Sequence, residues 1–250
     1  AALLLVTSTP LTPAFAGEGG AVSLQSESGE GRALTGSGTK DNPYQIGSAA
    51  ELREFAELVN NGQIRADADA VLTDDINLNP DMEISEDGTV TGAHDRWTPI
   101  GTNSNSYRGT FDGDGHTISG LYIDSSDTDY QGLFGCLDQG GTVKDLGVSG
   151  SVSGNRYVGG VVGDNGGIVE NCYNTGEVSG NSGVGGVVGR NSGIVENCYN
   201  TGKVTGNRVG GVVGYNSSSG NVTNCYNTGK VSGSGNSVGG VVGYNGSGSV

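Results

Sequence analysis

The sequence predicts an all-β solenoid, a parallel β-helix closed at its N-terminal end by a capping helix. Three observations carry this reading. GGVVG begins at Gly159, Gly185, Gly210 and Gly239, in steps of 26, 25 and 29 residues, and NCYNTG begins at Asn171, Asn197 and Asn224. Self-similarity at this period marks stacked repeats, none of which can bury its apolar face alone. Each repeat also holds two short Val-rich runs broken by Gly, Asn and Ser, which read as strands and corners with no helical period. Finally, glycine supplies 49 of 250 residues without the three-residue period of collagen, and aromatic residues are only 6%. The core must therefore be thin and built of valine, with coils resting about 4.7–4.9 Å apart.

Residues 1–16, AALLLVTSTPLTPAFA, read as a partial signal peptide: an apolar run leads to Ala14-Phe15-Ala16, the small-x-small form of a cleavage site. The run is too short to span a bilayer, and it implies export, to the medium or the cell surface. Residues 17–40 are rich in Gly, Ser and Glu and read as a flexible leader with little to bury. Residues 41–131 are expected to form the N-terminal cap and irregular first coils. Ser48 and Glu51 have capping-box spacing, the hydroxyl serving the Glu51 N–H and the carboxylate returning the bond. Leu52, Phe55, Ala56 and Val59 follow at helical spacing and Gly62 stops the run. A helix over 48–61 would cover the unpaired first coil, whose bare strand edge otherwise invites association. Strands are expected at 70–72 and 76–78, a loop over the acidic residues 79–96, a return to the core at 97–101, and a corner at Asp112-Gly113-Asp114-Gly115. There Gly supplies positive φ and Asp bonds its own backbone.

Residues 132–250 are the repeats proper, read as truncated at Val250. GLFG at 132–135 and VKDLGV at 143–148 are first, imperfect copies. Placing Gln131 level with Gly159 makes that position outward and sends Val158 and Val162 inward by alternation. Val152, Val178, Val204 and Val231 give a further inward column. Cys172, Cys198 and Cys225 share a slot that holds Leu146 in the first copy, so the slot is interior and cysteine serves as a small hydrophobe. Export would permit a disulfide, but three residues in one file cannot all pair. Cys136 falls in another column, level with Asp164.

Twelve Lys and Arg stand against 27 Asp and Glu, a formal charge of −15. Such a surface disfavours nucleic acid and anionic lipid and could attract cations, Ca2+ among them; no other cofactor is indicated. His94 and His116 are the only histidines and do not supply the converging ligand set that zinc needs. Gly235-Asn236-Ser237-Val238-Gly239 matches the nucleophile-elbow string but lacks the strand-to-helix turn and the later histidine.

Two constellations remain. Asp112 and Asp114, helped by Arg108 or Arg156, could form an acid–base pair acting on a polysaccharide, or could simply turn the chain. Tyr173, Tyr199 and Tyr226 form a column that could offer sugars an aromatic contact, or could stabilise stacked coils. The columns Asn171, Asn197, Asn224 and Asn174, Asn200, Asn227 could do the latter too. The outward columns Lys144, Glu170, Glu196, Thr223 and Ser151, Glu177, Lys203, Lys230 drift in charge as a solvated face does.

On GGVVGYN, the NCYNTG runs and their spacing, residues 132–250 resemble the GLUG-repeat family of bacterial exported proteins. LTDDI at 72–76, WTPIG at 97–101 and FDGDGHTI at 111–118 resemble what commonly precedes those repeats, so the likeness runs from about residue 42 onward. The resemblance implies a right-handed parallel β-helix on large surface or secreted proteins, including regions upstream of the peptidase part of IgA-protease-like metallopeptidases. The zinc-binding HExxH of such peptidases does not occur here, so that activity is not carried over. The expected function is a non-catalytic extracellular module, a spacer, adhesive or binding scaffold. Its expected partners are host or environmental glycans, surface proteins and further domains of the same chain. The alternatives are a glycan-processing lyase or hydrolase working at the Asp112 corner, or an accessory region of a secreted metallopeptidase.

Overall fold

The computed structural model describes residues 34–85 and 88–250; the signal peptide and most of the leader expected from the sequence lie outside them. The end of the expected leader is folded: Leu34 is buried, Thr35 bridges Gln45, and Ser37 donates to the Asn42 carbonyl at 2.9 Å. A hairpin-like turn over 37–42 gives these polar residues backbone partners that composition alone did not reveal.

The helix spans Ala49–Asn60. The Glu51 N–H donates to the Ser48 hydroxyl, as the capping box requires. The Glu51 carboxylate instead reaches one residue further back, to the Gly47 N–H at 2.9 Å and the Ser48 hydroxyl at 3.0 Å. Gly62, at φ 68°, returns its N–H to the Val59 carbonyl and ends the helix. Leu52, Phe55, Ala56 and Val59 are buried. Phe55 sits at the centre of an aromatic cluster, 6.2 Å from Tyr44, 5.9 Å from Tyr107 and 6.1 Å from Phe111. The core is thus not valine throughout. Its few aromatic side chains are gathered under the cap, and Phe134 extends the cluster into the first repeat.

Beyond the cap the chain winds into three parallel sheets. One has seven strands in the order Tyr44–Ile46, Ala70–Leu72, Thr110–Asp112, Thr142–Lys144, Ile168–Glu170, Ile194–Glu196 and Asn221–Thr223, one per coil. A five-stranded sheet stacks Phe134–Leu137, Val162–Asn165, Val188–Asn191, Val213–Asn216 and Val242–Asn245. The ten-stranded third sheet pairs the NCYNTG runs and the strands after them in register, Tyr173 on Tyr199 on Tyr226 and Val178 on Val204 on Val231. Identical residues meet their copies because each coil returns to the same height after nearly the same number of residues.

Two expectations need correction. Residues 79–96 are not all loop: Glu83–Ile84 and Val90–Thr91 pair as an antiparallel hairpin, whose base is fixed by the buried Asn79 side chain donating to the Gly120 and Asp95 carbonyls. Short paired runs of this kind carry too little alternation to be seen in sequence. Gln131 is buried, not outward, and pairs with Val158, not Gly159. The register slips by one residue between Gln131 and Phe134, and the Gln131 amide finds the Asp129 carbonyl at 2.8 Å. Val158 and Val162 do face inward, but so does Val161, as do both valines of every later VV pair up to Val213. The N–H groups of Val161 and Val162 both donate to the Val187 carbonyl at 3.0 Å, and Val187 and Val188 both to Val212. The chain bends between the two valines, which breaks the strand period and turns both side chains to the core.

Candidate functional site

The side chains that carry polar chemistry lie in files along the solenoid axis. Asn174, Asn200 and Asn227 form one: the Asn174 and Asn200 amides each donate to the carboxamide oxygen of the next asparagine at 2.8 Å, and all three donate to the carbonyl two residues on, while each side-chain oxygen accepts the N–H of that same glycine. Asn174 and Asn200 are buried, so these bonds are made out of reach of water. A second file of the same kind, Asn165, Asn191, Asn216 and Asn245, is linked at 2.8, 2.9 and 3.1 Å. Sequence reasoning passed over it, although the constant Asn two places after each VVG signals it. The third column has another cause. Asn171, Asn197 and Asn224 sit at φ 52–54°, and Asp145 holds the place before them at 52°. This left-handed corner is one that Asn and Asp tolerate best among side-chain-bearing residues.

Tyr173, Tyr199 and Tyr226 stack with centroids 4.9 and 5.0 Å apart and planes within 6°. Their faces lie on one another, so the column presents ring edges and hydroxyls outward. Burial, then the flanking tyrosines, raise the Tyr199 phenol above its ordinary pKa. Cys172 and Cys198 are fully buried, Cys225 is half-buried, and all four cysteines are free thiols. Contact with Cys172 and burial hold the Cys198 thiol well above the usual range, and burial beside Asp164 and Asp138 pushes Cys136 up to about 12. None of these sulfurs is a ready nucleophile.

At the acidic corner, the Asp112 carboxylate accepts the Asp114 N–H at 2.9 Å and pairs with Lys144, which also meets Asp145 at 3.0 Å. Asp114 adopts φ 49° and Gly115 83°. Both aspartates are thus used by the turn and its ion pair. The arginines proposed to help them are engaged elsewhere, Arg108 with Asp138 at 3.8 Å and Arg156 over the Tyr157 ring. His116 contacts Asp75 at 3.3 Å, and His94 packs edge-on against Tyr122 and bonds the Gly92 carbonyl. Among the described residues no group of three or more His, Cys, Asp or Glu converges as a metal site, and no helix is long and apolar enough to cross a membrane.

The inward Val, Cys and Asn of one coil recur in the next from residue 154 onward, and the GLUG motif matches residues 154–179, 180–205 and 206–232. The chain carries three GLUG repeats. The chain is similar to a protein of Evansella cellulosilytica named "Putative Gly-rich membrane protein", 34% identical over 134 residues. It is also similar to halomucin of Haloquadratum walsbyi, 37% identical over 134 residues. Each alignment covers 52% of this chain but only 14% and 1% of those much longer proteins. The coil stack is also that of the crystal structure of a "putative immunoglobulin A1 protease" of Bacteroides ovatus. That likeness has a TM-score of 0.53 over 84% of this chain and 86% of the other at 22% identity, which establishes a shared β-solenoid fold.

Proposed function

We propose that this GLUG solenoid is a stiff, non-catalytic extracellular module that spaces and presents binding surfaces at the cell exterior. The observation that carries this is the continuity of the files. Backbone pairing, two amide ladders and a tyrosine stack repeat from coil to coil, so a bending load is shared among many in-register hydrogen bonds. In such an array each coil is supported by its neighbours alone, and length can grow without a larger core. The names of the relatives, a Gly-rich membrane protein and a halomucin, support an envelope setting. The apolar run before Ala16 supports export.

The test is protease shaving of intact cells expressing the full-length chain, with antibodies against the repeats. Release of repeat fragments from intact cells is expected, and protection until lysis would overturn an exterior location. A polysaccharide depolymerisation assay on the same protein should show no turnover. Turnover abolished by Asp112→Asn would instead favour glycan processing.

A further inference from the structure

One face of the solenoid carries side chains that the ladders do not explain. Tyr130 and Tyr157 occupy equivalent places in successive coils at φ 60° and 57°, a left-handed backbone that bulky residues rarely adopt. In the next coil the same place is Gly183, at φ 104°, which shows that the corner itself needs no ring. Strain retained where glycine would relieve it is a feature of binding and switch sites.

The tyrosines continue across the face. Tyr130 stacks on Tyr157 at 5.6 Å, Tyr157 meets Tyr215 edge-on at 6.4 Å, and Tyr215 stacks on Tyr244 at 5.1 Å. Three guanidiniums lie over these rings, Arg156 and Arg190 at 5.1 and 5.8 Å from the Tyr157 centroid and Arg208 at 5.9 Å from that of Tyr244. Asp164 holds Arg190 through two contacts of 3.1 Å. Asp129, the other nearby carboxylate, accepts from the Asn155 amide and the Arg156 backbone N–H. Arg156 and Arg208 are exposed, and among the described residues neither guanidinium pairs with a carboxylate, in a chain that has 27 of them.

We infer that this tyrosine–arginine face binds an acidic polysaccharide, whose carboxylates are taken by Arg156 and Arg208 and whose hydroxyls meet the phenol groups. The inference rests on the exterior binding-module reading and names its ligand class. Arg156 is further held by its Nη2 donating to the Tyr157 hydroxyl at 3.1 Å; a guanidinium positioned over a ring in this way is pre-organised, and its remaining N–H groups can still meet a carboxylate. The face offers edges and hydroxyls in a row but no desolvated apolar pocket of the kind that anchors a protein partner. The formal charge of −15 does not forbid this. Beyond a Debye length of about 8 Å at physiological salt, distant carboxylates are largely screened, and the local guanidiniums govern contact.

Polygalacturonate and its fully methyl-esterified form share one backbone and differ in charge; each is titrated into the protein calorimetrically at physiological ionic strength. The acid form should bind and the ester should bind at least about tenfold more weakly. Arg156→Gln and Arg208→Gln should each weaken binding by about tenfold, the scale of one charged hydrogen bond, with an unchanged melting temperature. Tyr157→Gly separates a ligand role from a packing role, since it removes the backbone strain: binding should fall while the melting temperature holds. A lowered melting temperature with binding intact would overturn the inference. So would equal binding of acid and ester, equal binding of polyglutamate, or no binding. None of these outcomes bears on exterior exposure, which cell shaving tests separately.

Discussion

Asn200→Ala removes one rung from a ladder that is closed to water. Asn200 is fully buried and makes four bonds: it accepts from Asn174 at 2.8 Å and from the Gly202 N–H at 3.3 Å, and donates to Asn227 and to the Gly202 carbonyl, both at 2.8 Å. Alanine removes all four bonds, although the Asn174 amide keeps the Gly176 carbonyl and the Asn227 oxygen keeps the Gly229 N–H. At about 1 kcal/mol for each, the local loss is about 4 kcal/mol, and orphaned buried groups push it upward. A solenoid couples mainly nearest neighbours, so the damage should concentrate in the adjoining coils. Hydrogen exchange reads it directly. The Thr201 N–H, bonded to Asn174, and the Thr228 N–H, bonded to Asn200, should exchange roughly a thousandfold faster, the factor that about 4 kcal/mol implies. Asn224→Gly is the control. That residue is exposed, sits at φ 53°, and makes one side-chain bond of 3.3 Å to Asn197, so exchange should not rise. If Asn200→Ala accelerated these amides by less than about tenfold, the ladder would not hold the coils together and the argument for stiffness would fail.

Gly202→Ala would place a methyl 1.8 Å from the Gly176 carbonyl oxygen in the coil below. Backbone must move to admit it, and urea unfolding should show a loss of about 3 kcal/mol or more. Asp112→Asn keeps the turn acceptor but loses the half-exposed pair with Lys144, so its unfolding free energy should fall by about 1 kcal/mol or less. The cysteines should resist alkylation in the folded protein and take up four equivalents once unfolded, as read by intact mass; rapid labelling of Cys172 or Cys198 in the native state would contradict their burial. Burial raises the Asp145 carboxyl, but hydrogen bonds from Lys144 and Asn171 outweigh it and leave the pKa below the ordinary value. Its stabilising contribution is therefore present above the unfolded-state pKa and lost as pH falls through the folded one. Asp145→Asn should flatten the acid limb of the stability profile, and an unchanged acid limb would refute that assignment.

The files of Cys172, Cys198 and Cys225 and of Tyr173, Tyr199 and Tyr226 were legible because a repeat of nearly constant length returns each residue above its copy. The helix was legible from its cap and period. The hairpin over 83–91, the burial of Gln131 and the double-inward valines were not. Each depends on where the chain bends between coils, which one sequence does not encode in any local period. The tyrosine–arginine face was missed for a related reason. The outward place after VVG reads Asp164, Arg190, Tyr215 and Tyr244 in successive coils, a drift that looks like solvated variation until the coils are stacked.

Sequence alone determined the solenoid, its capped start, and which residues would be repeated neighbours, since periodicity is a property of the chain itself. Tertiary structure alone decided which neighbours touch and how. Only stacking could show that the Tyr173 column covers its own faces, that Asp112 belongs to Lys144, and that Arg156 and Arg208 are left with rings instead of carboxylates. Those outcomes turn on side-chain directions at bends and on contacts between coils, where a shift of one residue in register exchanges inside for outside.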